Sequence, residues 1–252
     1  METVFRDLEE RGFATIADAL APDEVALLRL ATESLPAAPG DETHAGVRDL
    51  FARLPALRQL ARHPAILGWP AAILGSRAFA VRAILFDKTP AANWRVAWHQ
   101  DLTIPTRMRA DAPGFGPWSE KAGIPHVQPP VAVLERMLTV RIHLDPCGTE
   151  QGPVRVLPGT HRLGKLTGED IDALRTSIAE VGVPVPAGGL LLMRPLLLHA
   201  SSPAATPTHR RVIHLEYAAD PLPAGLEWHE QWSVPAPPRA RLTRLGRRLV
   251  PA

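Results

Sequence analysis

Gly-Leu-Leu-Leu-Met-Arg-Pro-Leu-Leu-Leu-His-Ala-Ser-Ser, residues 189–202, and Arg-Arg-Val-Ile-His-Leu-Glu-Tyr-Ala, residues 210–218, form the stretch that decides the fold. Runs of four to nine apolar or alternating residues, bounded by Gly, Pro and Ser, read as strands. The spacing predicts strands at Gly189 to Met193, Leu196 to Ala200 and Arg210 to Ala218. In the last, Arg210, Val212, His214 and Glu216 share one face, and Arg211, Ile213, Leu215 and Tyr217 the other. The second face suits packing on a helix. The first is polar and suits a solvated pocket inside a barrel.

Working outward, further strands are expected at Gly12 to Ile16, Ala78 to Lys88, Trp94 to Leu102, within Val131 to Leu144, and at Val154 to Leu157. Asp145-Pro146-Cys147-Gly148 and Pro158-Gly159 read as turns. Helices are expected from Pro22, where Val25, Leu28, Thr32 and Leu35 recur at helical spacing, and over Glu169 to Glu180. Val47 to Leu74 reads as two or three short helices cut by Pro55, Pro64 and Pro70. Residues 36–46 read as a loop, and 103–130 as a long Pro/Gly-rich loop of the kind that forms lids. Helices first and about eight short strands after them predict a mainly β fold with flanking helices. Its core is a β-barrel or two-sheet jelly roll. No composition break marks a second domain, so 1–252 reads as one. Its parts are a mostly helical flank (1–76), a barrel core (77–220) that carries the lid-like loop, and a C-terminal extension (221–252).

Composition narrows the function. The chain has 252 residues, 46% of them hydrophobic, and a formal charge of +2. These values fit a globular domain and not a disordered one. Basic residues are scattered except for a modest run at Arg239 to Arg248, so no nucleic-acid partner is expected. No apolar run is long enough to cross a membrane. The opening Met-Glu-Thr-Val-Phe-Arg carries no basic-then-apolar signal, and the expectation is a cytoplasmic protein of open oligomeric state. The single Cys147 leaves no internal disulfide and no multi-cysteine zinc site.

Three histidines have a carboxylate two residues on: His99/Asp101, His143/Asp145 and His214/Glu216. In a strand, such residues point to one side and can reach one ion. Shuffling predicts about 0.5 His-x-Asp pairs, so context must separate them. Asp145 precedes Pro146 and reads as a turn residue. His214 and Glu216 read as a hydrogen-bonded pair, with His214 a candidate pocket residue. His99 and Asp101 end a strand that opens on the long loop, and His199 closes an apolar strand as either a structural cap or a third ligand. Two histidines and one carboxylate are the facial triad of non-haem Fe(II) oxygenases, and zinc hydrolysis can use the same set. Arg210 opens the strand after His199 and could hold a carboxylate in a bidentate grip, with Ser201 adding a hydroxyl. Such a pair suits a chelating keto-diacid. Its neighbour Arg211 reads as an ordinary surface charge, and His161 as structural.

The pattern resembles the phytanoyl-CoA dioxygenase-like family of Fe(II)/2-oxoglutarate oxygenases. The resemblance rests on Gly12-Phe13-Ala14-Thr15-Ile16, Trp98-His99-Gln100-Asp101, Gly152 to His161, and Pro195 to Ser201 followed by Arg210. It covers most of the chain and implies a double-stranded β-helix (jelly-roll, cupin-like) fold. It further implies Fe(II) on His99, Asp101 and His199, with 2-oxoglutarate held by Arg210 and Ser201 and touched by Gln100. O₂ would complete the reaction. The motif alignment puts Leu138 where the family often has an aromatic residue near the co-substrate. The presence of Asp101 favours hydroxylation over halide transfer, with succinate and CO₂ as co-products. The substrate is expected to be a small molecule, with Lys88, Trp118, Lys121, His126 and His214 as candidate contacts. The competing readings are a metal-dependent hydrolase or isomerase and a non-catalytic small-molecule-binding barrel. Both lack a use for the spacing of His199 and Arg210.

Overall fold

The structure, a computed structural model, describes residues 1–35 and 46–233. The basic run at 239–248 and almost all of the loop expected at 36–46 lie outside these residues.

Helix α1 (Glu2–Glu10) leads into β1 (Phe13–Ile16), then α2 (Pro22–Glu33). Pro22 opens α2 and Glu24 accepts the Ala21 amide at 2.8 Å, so a backbone donor that the helix itself leaves unpaired is satisfied. Three short helices follow, α3 (Leu50–Arg53), α4 (Leu57–Leu60) and α5 (Pro64–Leu74). Pro70 does not cut the last: it lies inside α5 and is buried with Ile66 and Leu67. The strands are β2 (Phe79–Lys88), β3 (Val96–His99), β4 (Ile104–Pro105), β5 (Trp118–Lys121) and β6 (Ile124–Val127). Helix α6 (Val131–Glu135) precedes β7 (Met137–His143), which takes only the second half of the segment read as containing a strand. Then come β8 (Val154–Val156), α7 (Gly168–Ser177), β9 (Val181–Val183), β10 (Leu190–Met193), β11 (His199–Ser201) and β12 (Arg210–Ala218). Sequence reading missed helix α1, although Val4, Phe5 and Leu8 recur at helical spacing, and the three-residue strand β9.

Two antiparallel sheets form the core, ordered β1-β10-β7-β12-β2 and β3-β11-β8-β9. This is the expected jelly roll. Alternation along β7 and β12 sorts the side chains. Leu138, Val140 and Ile142, with Ile213, Leu215 and Tyr217, join the core shared with α2 to α5. The lone tyrosine, fully buried there, donates its hydroxyl to the Ala61 carbonyl at 2.9 Å and ties β12 to the helical layer. The opposite face carries Arg141, His143, Arg210, His214 and Glu216, all buried. Leu138 therefore packs on the helices and not on any pocket, a correction to the motif alignment: the inward positions of β7 are Thr139, Arg141 and His143.

Residues 103–130 are not a simple loop. They fold into a three-stranded antiparallel sheet, β4-β6-β5, with Trp118 opposite Val127 and Lys121 opposite Ile124. Pro and Gly dominate the connections of this small sheet and hid its short strands. Arg211 also departs from expectation. It is buried and gives three bonds to the Asp145 carboxylate, at 2.8 to 3.0 Å, and one to Glu33 at 2.6 Å. It locks the end of α2 to the turn after β7. Gly12 is required where it stands. Its φ is +85°, and a Cβ there would lie 2.5 Å from Nδ1 of His161. His161 itself donates from Nε2 to the Glu9 carbonyl at 3.1 Å, a structural role.

Candidate active site

β3 and β11 pair so that His99 and His199 are direct cross-strand neighbours, with ring centroids 4.2 Å apart. Both rings are oriented alike. Nδ1 of His99 lies 2.9 Å from the Ala97 carbonyl, and Nδ1 of His199 lies 2.9 Å from the Leu197 carbonyl. A carbonyl can only accept, so each Nδ1 carries the proton and each Nε2 presents a lone pair. Such bonds are the usual supports of a metal-binding imidazole. Asp101 lies two residues past His99, its amide donating to the Pro195 carbonyl at 2.9 Å. Its oxygens stand 3.8 Å from Nε2 of His99 and 3.8 Å from Nε2 of His199. Oδ2 is buried and has no hydrogen-bond partner. An orphaned carboxylate oxygen facing two imidazole lone pairs fits a divalent cation.

Electrostatics agree. Burial opposes ionisation of Asp101, but His199, His214, His99 and Arg82 outweigh it and hold the carboxyl below the usual range. Burial, with His99 close by, pushes His199 down to about 3. The pair is thus a carboxylate and a neutral imidazole at neutral pH, the forms a metal needs. His199 is buried, while the His99 side chain is 40% exposed, so the triad has a closed side and an open one.

The triad faces a cavity of about 460 Å³, a size suited to small molecules. Arg210, Ser201, Gln100, Lys121 and His214 also line it. Arg210 is buried, its Nη1 donates to the Gly152 carbonyl, and its Nε–H has no partner. Beside it, Lys88 gives bonds to Ser201 Oγ at 3.1 Å and to the Ser202 carbonyl at 2.5 Å. Burial, then Arg210 and Arg141, push Lys88 down to about 7. Two neighbouring buried basic groups, with the Arg210 Nε–H unpaired, suit an incoming carboxylate.

The remaining candidates divide. His214 accepts from Arg141 Nη1 at Nδ1, 3.1 Å, which leaves Nε2–H to donate to Glu216 at 3.2 Å. It is the hydrogen-bonded pair expected, and it also lines the cavity. Gln100 lines the cavity but spends its amide on the backbone, donating to Gly164 and Leu196 and accepting from Leu166. It braces the 164–166 turn. Lys88 is buried behind Ser201 and is not on the cavity wall. Trp118 packs with Ile104, Val127 and Trp228 in a separate core, away from the cavity. His126 is buried in the small sheet and lines a narrower adjoining cleft. His143 and Asp145 do not converge: Asp145 serves Arg211 and Arg29, and both nitrogens of His143 are buried without partners. Sequence reading missed Arg48, Arg82, Phe86, Trp94, Thr103 and Arg141 on the wall. Only Arg141 carried a signal, as a charge at an inward position of an alternating strand.

The sequence profile of the phytanoyl-CoA dioxygenase (PhyH) family matches residues 8–212. The chain belongs to this family. Membership makes the protein a non-haem Fe(II)/2-oxoglutarate enzyme type that uses O₂, and the triad fits the iron. No curated protein sequence matches it significantly. Solved structures of similar fold include EctD from S. alaskensis with bound Fe, at TM-score 0.68 and 20% identity, covering 94% of this chain and 82% of that one. Another is the non-haem alpha-ketoglutarate-dependent carbocyclase SnoK from nogalamycin biosynthesis, at TM-score 0.65 and 20% identity, covering 86% and 83%. A third is AviO1 from Streptomyces viridochromogenes Tue57, at TM-score 0.63 and 23% identity, covering 88% and 97%. Among the described residues no helix is long and apolar enough to cross a membrane.

Proposed function

We propose that this PhyH-family protein hydroxylates a small molecule, with His99, Asp101 and His199 as iron ligands and Arg210 and Ser201 as the seat of the far carboxylate of 2-oxoglutarate, Lys88 standing behind Ser201. The observation that carries the reading is the orphaned Oδ2 of Asp101 between two imidazoles whose Nδ1 protons are already committed to carbonyls. When bound, iron with its keto acid supplies the oxidising chemistry: oxidative decarboxylation to succinate and CO₂ coupled to substrate oxidation.

The chain's residues do the positioning. The Ala97 and Leu197 carbonyls hold both rings with Nε2 inward. Arg210, freed at Nε, grips a carboxylate, and Lys88 adds charge behind Ser201. The small sheet of residues 104–127 brings Lys121 to the cavity wall, where it meets Thr103. Just past this sheet, Lys165 donates to the Pro129 carbonyl at 2.6 Å. Carbocyclase and epimerase neighbours share the fold, so the outcome depends on which substrate atom the wall presents. The presence of Asp101 favours oxygen transfer, because a carboxylate fills the position that a halide would need.

The test is a substrate screen by succinate formation under ¹⁸O₂. The expected result is substrate-stimulated succinate with one ¹⁸O atom in the product, lost in Asp101→Ala. Product formed equally without O₂ or 2-oxoglutarate would replace this reading with the hydrolase or isomerase one.

A further inference from the structure

Among the described residues, most charged side chains on the cavity wall are cationic. Arg48, Arg82, Lys121, Arg141 and Arg210 line it, against a single lining carboxylate, Asp101, which faces the two histidines. Arg210 and Arg82 sit at opposite ends. On β12, Arg210 pairs with Lys88 and Glu216 pairs with Arg82, six residues and about 20 Å of strand apart. The first end suits the keto acid. The second is built from Arg82, Lys121 and Arg48.

Among the described residues, the counter-charges at that second end are Glu216, Asp49 and Glu230. Glu216 accepts from Arg82 and from His214, so its charge is already matched. Asp49 and Glu230 flank Arg48 in the adjoining cleft. Lys121 differs: its Nζ donates to a neutral hydroxyl, Thr103 Oγ1, at 2.8 Å. Strand β5 of the small sheet delivers Lys121, and Thr103 lies two residues past Asp101. A substrate group that meets Lys121 is therefore held beside the metal ligands on the side away from Arg210. Burial and the neighbouring Arg82 and Arg48 push the Lys121 ammonium down to about 8, a crowding of cations that an anion would relieve.

We propose that this end of the cavity binds an anionic group of the substrate, a carboxylate or a phosphate monoester, with Lys121 as its principal cationic contact. The proposal rests on the oxygenase reading for the role of the other end. It excludes neutral and cationic molecules as preferred substrates.

The test is calorimetric titration of the anaerobic Fe(II) protein, saturated with 2-oxoglutarate so that Arg210 is occupied. The probes are hexanoate, hexyl phosphate and the neutral hexanamide. At least one anion should bind on the order of tenfold tighter than hexanamide, the loss expected for one charge-assisted bond. The better anion tells carboxylate from phosphate. Lys121→Met should abolish the preference and Lys121→Arg should keep it, with 2-oxoglutarate affinity changed less than about twofold in both. Hexanamide binding as tightly as both anions, or an anion preference intact in Lys121→Met with its melting temperature unchanged, would overturn the proposal. If 2-oxoglutarate itself fails to bind, the oxygenase reading fails. The anion preference is then read on metal-free Arg210→Ala, where the same outcomes decide it.

Discussion

Arg210→Ala should cost co-substrate affinity and almost nothing in folding. The residue is buried, yet its Nε–H has no partner and its one backbone bond is to the Gly152 carbonyl. Lys88 and Arg141 crowd it with like charge. Removing it therefore relieves repulsion while giving up the Gly152 bond and a contact with Cys147, and the opposed effects are each about 1–2 kcal/mol. Against 2-oxoglutarate the balance changes. A bidentate guanidinium–carboxylate contact contributes about 3 kcal/mol, or a rise of roughly 100-fold in Kd. The assay is paired: calorimetry of 2-oxoglutarate on the anaerobic Fe(II) protein, and thermal melting of the apo-protein. Iron affinity should stay within about threefold, since none of its ligands touches Arg210. A 2-oxoglutarate Kd within threefold of wild type would refute the assigned seat. A melting temperature lowered by more than about 8 °C would refute the claim that Arg210 is held there for a ligand.

Other changes test the frame. Asp145→Ala strips Arg211 of three bonds and leaves its buried charge with Glu33 alone, so urea unfolding should show a loss of about 3–5 kcal/mol. Tyr217→Phe removes one buried hydroxyl and strands the Ala61 carbonyl, for a loss of about 1–2 kcal/mol by the same measurement. The apo-protein should also lose stability in mild acid. Burial lowers His126 to about 4 and His199 to about 3, whereas both rings take up a proton near 6.5 when unfolded. The unfolded state binds more protons through this window, so acid favours unfolding. Stability present above about pH 6.5 is lost as pH falls toward 4, at up to about 2.7 kcal/mol per pH unit for two groups. A flat urea midpoint between pH 6.5 and 4.5 would contradict this.

Much of the fold was legible because period-two alternation dominates it. The apolar and polar faces of residues 210–218 are the two faces of β12, and the Pro-Gly turns fall where the chain reverses. The proposed iron ligands were legible in part. Spacing paired His99 with Asp101, but only the β3–β11 register sets His199 opposite His99, and register is a tertiary fact. Arg211 was misread because a strand-end arginine looks the same in sequence whether or not a carboxylate waits across 66 residues. Strands of two to four residues among prolines in 103–130 carry too little pattern to be seen. The cationic wall was invisible for a like reason: Arg48, Arg82 and Lys121 come from three separate segments.

The central claim is that one cavity seats iron at His99, Asp101 and His199 and a keto-diacid on Arg210. Anaerobic titration of the apo-protein with Fe(II) and then 2-oxoglutarate tests it most directly, through the weak visible charge-transfer band of the chelate. The account predicts the band in wild type, its absence in Asp101→Ala, and its appearance in Arg210→Ala only at about 100-fold higher 2-oxoglutarate. Bound iron with no band at saturating 2-oxoglutarate in the wild type would contradict it.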